Sequence, residues 1–519
     1  MTCDGGASPA ARGFPRLPDV TSHDDLAPDL TATPAPPPDL SGLIKAYDVR
    51  GVVPEPFSPL VAKAIGAAFA EVVVHRSAGD ARVVVGQDMR PSGDALVDAF
   101  AEGLTARGVD VVRIGLCSTD GLYHASGSLG LPGAMFTASH NPAEYNGIKM
   151  CHAGARPVGE DSGLAEIREL AARYLADGGP EPAPTPGTVT HREMLGEYAA
   201  FLRSLVDLSA IRPLKVVVDA GNGMAGLTVP AVLGTDSGLP ALPLEVVPLY
   251  FELDGSFPNH EANPLEPENL RDLQAAVVAH GADLGLAFDG DADRCFVVDE
   301  RGEPVSPSAV TALVGLREVA REQAAGRTPT VIHNLITSAV VPDLLRSAGA
   351  RTVRTRVGHS FIKAEMAANN AVFGGEHSAH YYFRDFFFAD TGMLAAMHVL
   401  AALGEARDGG LATMSGLAEA YEPYVASGEI NSRVPDVTAA RARVVEAYVT
   451  QQGAGPVTVD EMDGLTVSHW DSHPRWWFNL RASNTEPLLR LNVEAADEDV
   501  MVKVRDDVLG LVRGTGGAA

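Results

Sequence analysis

Residues 137–142 read Thr-Ala-Ser-His-Asn-Pro. The run puts a hydroxyl nucleophile, Ser139, beside an imidazole, His140, on a turn-forming Asn141-Pro142 pair. The apolar run Gly133-Ala134-Met135-Phe136 leads in, and Glu144-Tyr145-Asn146-Gly147-Ile148-Lys149 follows. A serine held on a tight turn with donors nearby can be loaded with a group such as a phosphoryl. Neighbours in sequence commonly point apart, so His140 is expected as a supporting donor rather than as the base of a hydrolase dyad.

A second constellation is Asp289-Gly290-Asp291-Ala292-Asp293-Arg294, after the apolar run Leu284–Phe288. Carboxylates at i, i+2 and i+4 of a looped chain project to one side. Three hard oxygen ligands suit Mg²⁺, which keeps positions open for phosphate oxygens or water. A solvated acidic loop explains the triad less well, because three converging carboxylates repel one another without a cation. An EF-hand is excluded: Arg294 stands where that loop needs glycine, and Cys295-Phe296-Val297-Val298 reads as strand. An aspartyl-nucleophile phosphatase using Asp289 stays open, although it leaves Ser139 idle.

Three further segments carry polar chemistry. Arg481-Ala482-Ser483-Asn484-Thr485-Glu486-Pro487 falls between two strand-like runs. A guanidinium fork, hydroxyls, an amide and backbone N–H groups can cradle a phosphate. Gly375-Glu376-His377-Ser378-Ala379-His380 follows Ala371-Val372-Phe373. Glu376 can accept from two adjacent sugar hydroxyls, with Ser378 and His380 at hand. Arg356-Val357-Gly358-His359 adds a histidine in a glycine turn. Finally, Gly221-Asn222-Gly223-Met224-Ala225-Gly226 matches a dinucleotide fingerprint, with Glu252 as the ribose-binding acid. Pro230 falls early in the following helix, which favours a plain strand-to-helix turn.

These loops need rigid elements behind them. The chain has 519 residues and 46% hydrophobic residues, enough for several domains of roughly 100–200 residues. Strand-like runs alternate with Ala/Leu-rich helical runs: Val83–Val85, a helix near 93–107, then Val109–Ile114. This rhythm implies βαβ units and α/β layers. Residues 178–188 form a breaker-rich linker, and residues 1–40 are a Pro-rich tail that is expected to be disordered. The net charge of −27 argues against nucleic acid and against an anionic membrane as partners. Four cysteines without a Cys-x-x-Cys pair, and no apolar run of membrane-spanning length, fit a reduced cytoplasmic protein.

Taken together and in this order, the segments closely resemble the α-D-phosphohexomutase superfamily. Thr137–Pro142, Asp289–Arg294, Gly375–His380 and Arg481–Pro487 are similar to its phosphoserine, metal, sugar and phosphate loops. Tyr47-Asp48-Val49-Arg50-Gly51 is similar to its entry segment. The resemblance runs from about residue 43 to the C-terminus, and four ordered motifs are far more specific than one. Within the superfamily, Glu-His-Ser-Ala-His looks most like the phosphomannomutase/phosphoglucomutase group. Ala379 replaces a common glycine, Gln87 a common arginine, and Ile336 a lysine that contacts substrate in some members.

The resemblance implies three α/β/α layered domains and a smaller C-terminal α+β domain of the TATA-binding-protein-like class around a central cleft. Boundaries are expected at 41–185, 186–307, 308–427 and 428–519. It implies conversion between hexose 1-phosphate and hexose 6-phosphate, of mannose or glucose, through a phosphoryl group on Ser139 and a hexose 1,6-bisphosphate. Mg²⁺ would be held by Ser139, Asp289, Asp291 and Asp293. Tyr47, Arg294, Glu376, Ser378, His380, Arg481, Ser483, Asn484 and Thr485 would bind substrate. Arg50, His140, Lys149 and Arg294 would surround the transferring group with positive charge, and a mobile Lys149 or His359 would move the proton. A monomer or homodimer is expected. A phosphoglucosamine mutase and a Mg²⁺-dependent sugar phosphatase stay open as alternatives.

Overall fold

The computed structural model describes residues 37–514 apart from Ala46, Ala78 and the stretches 407–411, 451–456 and 483–487. The four described sheets follow one another along the chain. The first has the order Val49–Val52, Tyr145–His152, Gly133–Phe136, Arg82–Gln87, Asp110–Leu116, Val189–His191, with Arg156–Pro157 at its edge. Its Arg82–Gln87, Gly133–Phe136 and Asp110–Leu116 strands pair in parallel. The valine-rich run Val83–Val85 is buried on both faces, as parallel strands between helical layers must be. Helices Pro59–Phe69, Gly93–Ala106, Thr119–Leu129 and Leu164–Ala176 belong to this first unit.

The second sheet runs Pro304–Val305, Cys295–Asp299, Leu284–Phe288, Leu214–Asp219, Leu244–Leu249. The third runs Arg351–Thr355, Thr330–Asn334, Phe373–Gly375, Tyr381–Phe383, Ala389–Asp390. The second and third share one continuous apolar core, which the nearly all-buried helix Gly392–Glu405 helps to fill. The fourth sheet is antiparallel throughout and carries its own core, with helices Val437–Val445 and Glu498–Arg513. Three α/β units and a smaller α+β unit are therefore present, as the sequence implied.

Three expectations need correction. The Pro-rich tail expected through residue 40 ends sooner: Leu40 is buried in the first core and its carbonyl accepts from Leu43 and Ile44. Residues 1–36 lie outside the described residues. The boundary at 185 falls too early, because Val189–His191 adds a parallel strand to the first sheet. The fourth sheet begins at Val425, ahead of the expected boundary at 428.

Gly221–Gly226 is a strand-to-helix turn between Leu214–Asp219 and Ala225–Val232. Five of its amides are taken: Gly221 N–H by Asp219, Asn222 N–H by the Tyr250 carbonyl, Gly223 N–H by Ala220, Met224 N–H by Gly290 and Gly226 N–H by Gly223. A Cβ at Gly226 would fall 2.1 Å from the Phe251 carbonyl oxygen. The glycine is there for close chain packing, and the turn's glycine amides are spent on the fold rather than offered to a pyrophosphate. The Asp289–Arg294 loop joins two antiparallel strands, not two helices.

Candidate active site

The serine loop leaves the carboxyl end of Gly133–Phe136, a fully buried central strand. Ser139 has φ 52, a left-handed conformation that costs a non-glycine residue energy and concentrates at functional turns. The turn is held from two sides. The Ser139 N–H donates to Thr137 Oγ1 at 2.8 Å. The Arg90 guanidinium donates to four carbonyls, those of Ser139 (2.9 Å), Asn141 (2.6 Å), Pro142 (2.8 Å) and Tyr145 (2.9 Å). Asp88 pairs with that guanidinium at 3.3 Å, and both side chains are fully buried. Gln87 points elsewhere, donating to Asp94 at 2.8 Å.

The acidic loop meets the serine loop directly. Ser139 Oγ donates to Asp289 Oδ2 at 2.9 Å. Asp289, Asp291 and Asp293 are buried and bring carboxylate oxygens within 4.8 Å of one another. Burial pushes the Asp289 carboxyl up to about 7, against the pull of the Arg294 guanidinium. Asp291 Oδ1 and Asp293 Oδ1 are buried without a hydrogen-bond partner. Buried lone pairs of this kind are costly unless something accepts them. Hard oxygens, carboxylate charge and unfilled lone pairs fit a divalent cation such as Mg²⁺.

Lys149 departs from expectation. It is buried, and its Nζ lies 2.7 Å from Asp291 Oδ2 and 2.5 Å from Asp293 Oδ2. Burial alone would lower its pKa, but the two carboxylates outweigh it and hold the ammonium well above its ordinary value. In this arrangement Lys149 is clamped between the two carboxylates as a positive charge, where the sequence suggested a mobile side chain.

His140 also departs from expectation. Its Nδ1 lies 3.2 Å from Ser139 Oγ, so the two neighbours converge. The positive φ at Ser139 rotates its side chain out of the usual alternation. The Arg294 charge, then burial, then Arg50 hold the imidazole well below its ordinary pKa. A neutral ring at that distance can accept the serine proton.

Arg294 was expected on substrate. It is fully buried instead, with Nε 2.8 Å from Asp289 Oδ2 and a terminal nitrogen 3.5 Å from Ser139 Oγ. Arg50 sits on the other side of the turn, donating to Asn141 Oδ1 at 2.6 Å and to Asp48 at 2.7 Å.

The sugar loop is the hairpin between Phe373–Gly375 and Tyr381–Phe383. It reaches the acidic loop through a backbone bridge between Arg294 and His380. His380 Nε2 lies 3.6 Å from Asp293 Oδ1, and its Nδ1 lies 3.2 Å from Ser378 Oγ. Burial lowers the His380 pKa, but the Asp293 carboxylate more than offsets this and raises it. Glu376 is more committed than a free diol reader. It accepts from Asn334 Nδ2 at 3.1 Å, the Gly358 N–H at 3.3 Å and the Tyr382 hydroxyl at 2.6 Å. With about four lone-pair sites on a carboxylate, little capacity is left for a ligand. Ala379 has φ 64, a conformation glycine adopts at less cost, which accounts for the glycine in related loops.

Tyr47 stands edge-on to Phe361 at 5.9 Å, beside a cavity of about 1090 Å³ that also includes Arg156, Arg356 and Phe388. His359 begins the helix His359–Asn369, and its side chain lies outside the described residues. Arg481 is the penultimate residue of strand Trp476–Ala482, with carboxylates of Asp463 and Glu429 at 3.8 and 3.4 Å. Ser483, Asn484 and Thr485 lie outside the described residues. The Val357 N–H donates to Asp463 at 3.2 Å, tying the third unit to the fourth beside Arg481.

Sequence reading missed Arg90 and the segment Ser118–Asp120. Asp120 is buried and accepts from Tyr198 of the second unit at 2.7 Å and Thr391 of the third at 2.6 Å. The local signals were modest: Asp88-Met89-Arg90 after a strand, and a Ser-Thr-Asp run at a helix start.

Four family descriptions match the chain in order. They are the phosphoglucomutase/phosphomannomutase α/β/α domains I (42–176), II (196–302) and III (307–424), and the C-terminal domain (429–511). Phosphohexose mutases of Xanthomonas campestris are 39% identical over 91% of this chain and 99% of theirs. A phosphomannomutase of Salmonella typhimurium is 38% identical over 90% of this chain and 97% of its own. A phosphoglucomutase/phosphomannomutase family protein of Burkholderia thailandensis superposes with a TM-score of 0.78 at 30% identity, covering 92% of this chain and 98% of that one. With all four units matched along most of its length, the chain belongs to the phosphoglucomutase/phosphomannomutase family and is a phosphohexose mutase.

Proposed function

We propose that the enzyme interconverts the 1- and 6-phosphates of mannose and glucose through a phosphoryl group carried on Ser139 and a hexose 1,6-bisphosphate intermediate. The observation that carries this reading is the meeting of Ser139 Oγ with Asp289 Oδ2 at 2.9 Å, next to Asp291 Oδ1, which is buried without a hydrogen-bond partner, and Asp293 Oδ1, which faces the His380 ring at 3.6 Å. A serine used for hydrolysis has no need of three carboxylates around it. A serine that carries a dianionic group through a cation does.

In the forward half-reaction the Ser139 Oγ–phosphorus bond breaks as a sugar hydroxyl oxygen bonds to phosphorus, and the proton that hydroxyl gives up ends on Ser139 Oγ. In the return half-reaction Ser139 Oγ bonds to the phosphorus of the other phosphate as that phosphate's bond to the sugar oxygen breaks. His140 Nδ1, 3.2 Å from Ser139 Oγ and neutral, takes the serine proton as the bond forms, and the proton ends on the freed sugar oxygen. Asp289, Asp291 and Asp293, with a phosphoryl oxygen on Ser139, would hold Mg²⁺. When bound, the ion supplies positive charge to the phosphoryl oxygens. Arg294, Lys149 and Arg50 keep the carboxylates and the turn in place. Arg481 with Ser483, Asn484 and Thr485 grips the phosphate that is not reacting. Ser378 and His380, with the one acceptor site left on Glu376, form the wall that meets the ring hydroxyls common to both substrate orientations. One chain supplies every group named, which suits a monomer or a homodimer.

Among the described residues no helix is long and apolar enough to cross a membrane. The described cysteines Cys117, Cys151 and Cys295 are free and buried, in keeping with a cytoplasmic setting.

A coupled assay with mannose, glucose and glucosamine 1-phosphates at equal enzyme, with and without a trace of glucose 1,6-bisphosphate, tests the reading. Mannose and glucose phosphates are expected to turn over, with activation by the trace and little release of inorganic phosphate. Stoichiometric phosphate release would identify a phosphatase. Preference for the glucosamine phosphate would move the enzyme to the other mutase group.

A further inference from the structure

We infer that Thr119 is a positioning residue for the cation site, fixing the rotation of Asp291 so that its Oδ1 faces the ion. The inference rests on the metal reading above. Thr119 belongs to the first unit and Asp291 to the second. The Thr119 hydroxyl donates to Asp291 Oδ2 at 2.6 Å, and the Thr119 N–H donates to the Asp291 carbonyl at 3.0 Å. Both residues are fully buried.

The division of labour on Asp291 is plain. Oδ2 takes Thr119 and the Lys149 ammonium at 2.7 Å, while Oδ1 has no hydrogen-bond partner. A carboxylate accepts only, so the hydroxyl must donate. The two donors on Oδ2 differ in stiffness. Lysine reaches through a flexible four-carbon stem, whereas the Thr119 hydroxyl sits directly on Cβ, one rotatable bond from a fixed backbone. Threonine is the donor that sets the angle of the carboxylate.

Thr119 is itself well fixed. It opens the helix Thr119–Leu129, whose cap Ser118 accepts from the Gly121 N–H at 3.2 Å. The next residue, Asp120, takes hydroxyl donors from Tyr198 and Thr391. The start of this helix is thus keyed to the second and third units while Thr119 holds the metal ligand. Groups that orient a metal ligand in this way are worth about 10–100-fold in metal affinity or activity.

The test measures Mn²⁺ binding to the full-length protein directly, by electron paramagnetic resonance of the free ion. Wild type, Thr119→Ser, Thr119→Val and Thr119→Ala are compared, with circular dichroism to confirm folding. Thr119→Val and Thr119→Ala are expected to weaken Mn²⁺ about 10–100-fold, Thr119→Ser to remain near wild type, and the KM for sugar phosphate to change little in all. If Thr119→Val does not fold, Thr119→Ala, which removes the hydroxyl without adding bulk, decides alone. Unchanged Mn²⁺ affinity without the hydroxyl, or Thr119→Ser as impaired as Thr119→Val, overturns the inference. Wild type that binds no Mn²⁺, or binding untouched by Asp293→Asn, overturns the metal reading itself and this inference with it.

Discussion

Gly290 and Ser139 touch through their backbones: a Cβ at Gly290 would fall 2.5 Å from the Ser139 carbonyl oxygen. The acidic loop and the serine loop come from different units, and this contact sets how closely they approach. Gly290→Ala is expected to push them apart, and misplacement of about 1 Å can cost roughly 100-fold in rate. A kcat fall of that order, with KM for sugar phosphate little changed, is the expected outcome. Wild-type kcat would show that the loops have room to spare.

Arg90 holds the serine turn by four carbonyls and is balanced by Asp88. Burial disfavours the charged form of both partners, so the pair is worth little as a net stabiliser, but breaking it is costly. Arg90→Met is expected to lose about 3–5 kcal/mol by leaving a buried carboxylate unpaired. Adding Asp88→Asn should restore much of the stability but not the kcat, because the carbonyls still lack their donor. Thermal melts and steady-state rates on both variants separate the two effects. Recovery of full activity in the double variant would contradict the holding role.

Asp120 gives a pH signature. Burial, the largest influence, pushes its carboxyl up to about 6, although three hydroxyl donors pull the other way. An acid whose folded pKa is raised binds more protons when folded than unfolded. Its contribution to stability is therefore greatest below the unfolded value and is lost as pH rises from about 4 to about 6. Over that window the loss is about 3 kcal/mol. Asp120→Asn is expected to flatten the dependence of Tm on pH between about 4 and 6. An unchanged slope would remove Asp120 as its source.

Removal of divalent ions should abolish turnover. On the proposed reading the Asp289, Asp291 and Asp293 carboxylates would hold a cation that offsets phosphoryl charge. EDTA-treated enzyme is expected to be inactive and to recover with Mg²⁺, as followed in the coupled assay. Full activity after exhaustive chelation would contradict the site.

The elements that could be read from sequence are those whose signal is local. Val83–Val85, the helix near 93–107 and Val109–Ile114 reappear as Arg82–Gln87, Gly93–Ala106 and Asp110–Leu116. Ser139 and the Asp289–Asp293 triad stood out because each motif carries its chemistry within six residues. The short strand Val189–His191 fell to the second unit in the sequence boundaries, because all three of its residues are exposed and no burial pattern marks it as part of the first sheet.

What could not be read depends on contacts distant in sequence. Arg90 acts on Ser139 across 49 positions and Thr119 on Asp291 across 172, and no spacing rule connects them. The direction of His140 depends on the positive φ of Ser139, which serine does not announce. Lys149 looked like a lone cation near a motif. Only the fold reveals that two carboxylates surround it.

The central claim is that Ser139 carries the phosphoryl group. The most direct measurement is to incubate the enzyme with glucose 1,6-bisphosphate labelled in both phosphates, digest it, and locate the label by mass spectrometry, then chase with unlabelled sugar monophosphate. The account predicts label on the peptide containing Ser139, discharge of that label into sugar phosphate at the rate of turnover, and no label or mutase activity in folded Ser139→Ala. Label on Asp289, or wild-type turnover by Ser139→Ala, would contradict it.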